Sequence, residues 1–154
     1  MRRDATTDGL TNLANRKAFD DTFAHACAVS DHKSTSLSLV LLDIYHFKSF
    51  NDTWGHQTGD QVIRFVASVI DRLGSSPRFS ARHGGEEFSM IFSSDSAEVI
   101  EAALEEIRVE VAWRMLRRRS TNEYLGRITI SSGFAERHPG ETALNVIDRA
   151  DAAR

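Results

Sequence analysis

The sequence predicts an α/β domain in which helices cover a mixed β-sheet. Three observations predict it. Segments whose apolar residues recur every three to four positions alternate with short apolar runs of strand length. Their order is helix, strand, helix, strand, strand, helix, strand, helix, with no internal repeat. The chain has 154 residues, 41% hydrophobic and 27% charged, which suits one globular core and strains a two-domain reading.

Each element follows from local pattern. Asn12 to about Val29 reads as a helix with Leu13, Phe19, Phe23 and Ala26 roughly on one face. Leu37 to Leu42, "LSLVLL", is too short for a helix and reads as a buried strand ending at Asp43. Val62, Phe65, Val66, Val69, Ile70 and Leu73 mark a helix that Gly74-Ser75-Ser76-Pro77 stops. Two short strands, about Arg78 to Arg82 and Phe88 to Phe92, flank "RHGGEEF" as a hairpin, with Phe88, Met90 and Phe92 as core. Ser96 to Arg118 reads as a long helix carrying Ile100, Leu104, Ile107, Val111 and Met115 on one face. Arg117-Arg118-Arg119 would be solvated cations at its C-terminus. β-Branched alternation makes Arg127 to Ala135 a strand, and Pro139-Gly140 sets off a last helix from Glu141 to Ala153.

Composition removes several classes of function. The net charge is -3 and the basic residues form no long run, so no nucleic-acid groove is expected. The single cysteine, Cys27, excludes an internal disulfide framework and fits a reducing compartment. No apolar run approaches the roughly 20 residues of a bilayer span, and Met1-Arg2-Arg3-Asp4 leads into polar residues rather than a signal-peptide core. The expectation is a cytoplasmic domain without a membrane segment. His46, His56 and His83 lack the paired spacing of a structural zinc site.

The chemistry gathers at two places. Asp43 ends the first strand, where α/β sheets commonly place ligand-binding groups. Glu86 and Glu87 sit at the hairpin tip behind the bare glycines Gly84 and Gly85, over which a bulky substrate can approach the backbone. Carboxylates brought together repel unless something positive lies among them, and such oxygen ligands suit magnesium or manganese. Taken alone, Asp43 serves equally well as the cap of a short helical turn, Asp60 as the N-cap or first-turn acid of the helix led by Gln61, and Asn51-Asp52 as an ordinary turn.

"DGLTNLANRKAF" from Asp8, "LLDIYHFKSFNDTWGHQTGDQV" from Leu41, "ARHGGEEF" from Ala81 and "TISSGFA" from Thr129 together resemble the GGDEF domain family, the diguanylate cyclases, in order and spacing. The resemblance covers nearly the whole chain. It implies a nucleotidyl-cyclase-like fold with a ferredoxin-like core. It also implies condensation of two GTP into cyclic di-GMP with release of pyrophosphate, by two domains face to face in a homodimer. By that resemblance Asp43 is a metal ligand with the backbone carbonyl of Ile44 beside it, and Glu87 is the metal-binding glutamate of the signature. Glu86 serves catalysis, through the metal or by deprotonating the 3'-hydroxyl. The backbone amides of His46 and Phe47 face phosphate oxygens and Lys48 adds a cation, while Asn51 and Asp60 read guanine. Magnesium (or manganese) is the implied cofactor, and an upstream sensory domain the implied partner.

The chain also departs from the family pattern. Tyr45 stands where a second Asp is usual, and Asn12 replaces the usual Gly of an "LTGL" element. The R-x-x-D of product-inhibited members corresponds here to Ser75-Ser76-Pro77-Arg78, which predicts no feedback inhibition through that site. The sequence ends at "RADAAR", where the family continues with a segment of the form "LYxAKxxGRN" that brings a Lys and an Arg to the triphosphate. The expectation is a single output domain cut from a longer protein.

Overall fold

The computed structural model describes residues 5–73 and 78–154. Nine elements run α1 (Arg16–Lys33), β1 (Leu37–Ile44), α2 (Phe47–Trp54), α3 (His56–Leu73), β2 (Phe79–Arg82), β3 (Glu87–Ser93), α4 (Ala97–Trp113), β4 (Ile130–Glu136) and α5 (Ala143–Ala152). The strands form one sheet in the order β2-β3-β1-β4. Within it, β1-α3-β2-β3-α4-β4 is a ferredoxin-like split β-α-β unit, as expected.

One detail of the expectation is corrected. All three neighbouring strand pairs are antiparallel, so the sheet is not mixed. The crossover through α3 does not bring β1 and β2 side by side, because β3 lies between them.

Alternation along β1 builds two cores. Val40, Leu42 and Ile44 face α3 and α4 in a cluster with Val62, Val66, Ile70, Ile100 and Ile107. Leu37, Leu39 and Leu41 face α1 and α5, packing on Phe19, Phe23 and Val146. Helices therefore cover both faces, and β1 is buried on both, which is why "LSLVLL" carries so little alternation. Phe88, Met90 and Phe92 are core residues, as the sequence suggests.

The helix ends differ from the expectation. Asn15 caps α1, its side chain accepting from the Ala18 amide at 2.9 Å, so the helix starts after Leu13 rather than at Asn12. Asn12 itself has φ 62°, a conformation asparagine and glycine both tolerate, which accounts for its standing at a glycine position. α4 stops at Trp113, five residues before Arg118 and short of Met115, which is 64% exposed. Arg118 is not a freely solvated helix-terminal cation. It donates to the Trp54 carbonyl and the Thr58 hydroxyl, each at 3.3 Å, and lies over the Trp54 ring. Of the positions matched to R-x-x-D, Ser75 to Pro77 lie outside the described residues.

Candidate active site

β1 and β3 bring the predicted acids together. In their antiparallel register Asp43 lies directly opposite Glu87, and the Ile44 amide donates to the Glu86 carbonyl at 3.2 Å. The amides of His83 and Gly84 both donate to the Glu87 carbonyl, at 2.8 and 3.2 Å, and close the hairpin. Neither Gly84 nor Gly85 has positive φ, so the turn does not require glycine for its backbone conformation. A Cβ on Gly85 would meet nothing within 4 Å, and one on Gly84 only the Glu87 side chain at 3.4 Å. The two glycines are exposed and leave a bare surface over the carboxylates.

Like charges directly opposite each other on a sheet repel, so something must compensate the pair. Here it is Arg154, whose Nη1 lies 2.9 Å from Glu87 Oε2 and 3.5 Å from Asp43 Oδ2. Asp43 Oδ1 is buried and has no hydrogen-bond partner among the described residues. Burial pushes the Asp43 carboxyl above its usual range, opposed by Arg154 and reinforced by the charges of Glu87, Glu86 and Asp151. Glu86 makes no side-chain hydrogen bond or ion pair with another described residue.

These groups fit a hard divalent cation. An orphaned, buried carboxylate oxygen beside a second carboxylate, at a spot already holding a positive group, is a donor set for magnesium or manganese. Among the described residues no group of three or more His, Cys, Asp or Glu side chains is placed to hold a metal ion, so a cation here would rest on the two carboxylates of Asp43 and Glu87. The open arrangement suits magnesium, which keeps several ligand positions for water and substrate phosphates.

Next to the acids the chain turns sharply into α2, a full eight-residue helix where the sequence suggests only a short helical turn after Asp43 and an ordinary turn at Asn51-Asp52. His46 adopts φ 55° ahead of an eight-residue helix, so this is where the backbone swings from strand to helix. Among the described residues the amides of His46 and Phe47 find no main-chain acceptor, so both donors are free to take a ligand oxygen. Lys48 is exposed beside them. Asp43 does not cap this helix; His46 holds the cap position and makes no side-chain cap bond.

Asn51 on α2 and Asp60 on α3 form the second predicted group. α3 begins at His56, so Asp60 is not its N-cap and is half-buried one turn in. Asn51 Oδ1 is buried and, among the described residues, is an acceptor without a donor. It lies against Gly59, where an added Cβ would be 1.9 Å away.

Sequence reasoning missed four participants. Asp8 and Arg82 tie the first motif to the hairpin. Asp8 accepts from the Thr11 amide and hydroxyl at 2.9 and 2.8 Å and from Arg82 Nη1 at 3.3 Å, while Arg82 Nε and Nη2 hold the Gly85 carbonyl at 3.0 and 2.8 Å. Gly59 and Arg154 are the others; the absence of a side chain at Gly59, inside a strong helix pattern, was the available signal.

A family profile described as "Diguanylate cyclase, GGDEF domain" matches residues 5–154. The chain belongs to the GGDEF family. This GGDEF domain is 36% identical over 152 residues to diguanylate cyclase VdcA of Vibrio cholerae, covering 98% of the chain and 43% of that protein. It is 35% identical over 153 residues to diguanylate cyclase DgcP of Pseudomonas aeruginosa, covering 99% of the chain and 22% of that protein. The domain thus spans less than half the length of these curated relatives. The crystal structure of the GGDEF domain of DgcB from Caulobacter crescentus, in complex with c-di-GMP, superposes with a TM-score of 0.97 at 68% identity. The match covers 99% of this chain and 90% of that one.

Proposed function

We propose that this GGDEF domain is one half-site of a diguanylate cyclase, condensing two GTP into cyclic di-GMP when two domains face one another. In each of two equivalent steps the 3'-oxygen of one GTP forms a bond to the α-phosphorus of the other. The bond from that phosphorus to the bridging oxygen of the β-phosphate breaks, and pyrophosphate leaves with the electron pair.

The chain's own groups divide the work. Glu86, without a partner among the described side chains, takes the 3'-hydroxyl proton. The amides of His46 and Phe47, with Lys48, hold phosphate oxygens. Asn51 and Asp60 accept from and pair with the guanine edge, and the unsatisfied Asn51 Oδ1 disfavours a base that cannot donate to it. Gly84 and Gly85 leave room for the nucleotide. Asp43 and Glu87, with the Ile44 carbonyl and Glu86, would hold magnesium or manganese, which neutralises charge on the triphosphate.

The observation that carries this reading is the Asp43–Glu87 pair, with its orphaned Oδ1, beneath a bare glycine tip. The test is incubation of the chain with GTP and magnesium at several protein concentrations, following cyclic di-GMP by chromatography. Specific yield should rise with protein concentration, and Glu87→Gln should abolish turnover while the fold persists. Absence of product even from a forced dimer, or unaltered turnover in Glu87→Gln, defeats it.

A second reading, a module that binds GTP or a protein partner without turnover, is favoured by one feature. Tyr45, 58% exposed, stands where the family usually has a second Asp. GTP binding without product in the same assay selects it. In either case GTP and an upstream sensory segment are the proposed partners, and the cytoplasm is the proposed compartment.

A further inference from the structure

We propose that Arg154 is a built-in counter-ion that competes with divalent cations for the Asp43–Glu87 pair, so that it sets the metal affinity of the site. The inference rests on the metal reading above.

Its position has definite causes. Gly133 on β4 has no side chain, and a Cβ there would come within 2.5 Å of the Ala153 carbonyl carbon and the Arg154 amide nitrogen. The chain leaving α5 therefore lies flat on the sheet at Gly133, two residues from Ser131, which pairs with Asp43. From there the Arg154 side chain reaches the carboxylates and is only 16% exposed. Asp151, through its own ion pair with Nη2, holds the outer side of the guanidinium.

A single nitrogen, Nη1, serves both acids, at 2.9 and 3.5 Å. A magnesium or manganese ion binds carboxylate oxygens at about 2.1 Å and would overlap the guanidinium if it engaged the same two oxygens. For those two oxygens occupation is therefore exclusive, and a cation that enters at the free Asp43 Oδ1 meets the repulsion of the guanidinium beside it. The clamp is also imperfect, since it leaves Asp43 Oδ1 without a partner among the described residues, and a cation that satisfies that oxygen can displace it. By linkage, whatever the guanidinium contributes to holding the pair is subtracted from the apparent metal affinity. Arg154 touches the carboxylates rather than the reacting atoms, so it is a positioning residue.

The test is binding of manganese alone, read by the loss of free-ion paramagnetic resonance signal and by the shift in melting temperature. Arg154→Gln should bind manganese roughly tenfold more tightly than the wild-type chain, the size of one charge-assisted hydrogen bond removed from competition. Its metal-free form should melt lower, because two facing carboxylates lose their cation, and manganese should restore it. Arg154→Lys should bind as the wild type does. Asp151→Asn, which leaves Arg154 in place but loosens it, should lie between and serves if Arg154→Gln does not fold. Equal affinities for the wild type, Arg154→Gln and Asp151→Asn, with binding abolished by Asp43→Asn, overturn the proposal and leave the metal reading standing. Manganese binding that survives Asp43→Asn, or binding by none of the chains, overturns both.

Discussion

Gly59→Ala separates base recognition from folding. In the interior of α3, alanine is favoured over glycine by about 1 kcal/mol of helix propensity. Against this stands the Asn51 side chain, whose Oδ1 would lie 1.9 Å and Cγ 2.9 Å from the new methyl, with Phe47 Cζ at 3.1 Å. Ordinary contact would require the oxygen to retreat by about 1.5 Å, and it is the end of a side chain that can rotate. Overpacking costs about 1–3 kcal/mol, so the net change in stability is at most about 2 kcal/mol. For a domain of this size that is a fall in melting temperature of no more than about 8 °C. Displacing Asn51 would remove the hydrogen bond proposed to guanine, at about 1–3 kcal/mol, so GTP affinity should fall by roughly 5- to 150-fold while ATP affinity should not change. Calorimetric titration with each nucleotide, beside a thermal melt, measures all three quantities. A folded Gly59→Ala chain with unchanged GTP affinity would refute the placement of Asn51 on the base.

Other substitutions test the scaffold. Gly133→Ala would drive a methyl into main-chain atoms at 2.5 Å that cannot rotate away; stability should fall by about 1–3 kcal/mol, seen as a lower urea midpoint, more than for Gly59→Ala. Arg82→Ala removes the donors that hold the Gly85 carbonyl and Asp8, so amide exchange at the hairpin tip should quicken while the β1 core keeps its protection. At low pH, hydrogen bonds from Arg137 hold Asp31 down to about 2 from 3.8, and those from Arg149 hold Glu141 down to about 2 from 4.5. Both depressed carboxyls stabilise the fold fully above their ordinary values and lose that contribution as pH falls through about 2, so the urea midpoint should drop between about pH 4.5 and 2. Arg149→Met should flatten the Glu141 part of that fall; an unchanged slope would refute the assignment.

What the sequence revealed, and what it hid, follows from the range of each interaction. Strands, core residues and the longer helices were legible because burial on one face leaves a local period, as in Val62 to Leu73. α2 was not, although Phe47, Phe50 and Trp54 keep helical spacing, because eight residues give too little pattern. The C-terminal limit of α4 was hidden for another reason. The period of Val111 and Met115 continues past Trp113, and the chain leaves the helix where Arg114 turns over the Phe65 ring and Arg118 docks on Trp54 and Thr58, contacts made over long sequence separation. Strand order was equally invisible, since alternation does not name a neighbour.

The site divides along the same line. Asp43, Glu86 and Glu87 could be read because each sits at the end of a local element whose charge has no local explanation. Arg154 could not, because nothing near it in sequence implies two acids; its partners arrive through the β1–β3 register and through the path that Gly133 opens for α5. Acids that converge can be anticipated from where strands end, but the cation that answers them is supplied by tertiary packing. That asymmetry makes the Arg154 contact a property of the fold rather than of any motif. A substitution at Gly133, remote from the signature hairpin in sequence, should therefore loosen the clamp and raise manganese affinity as Arg154→Gln does.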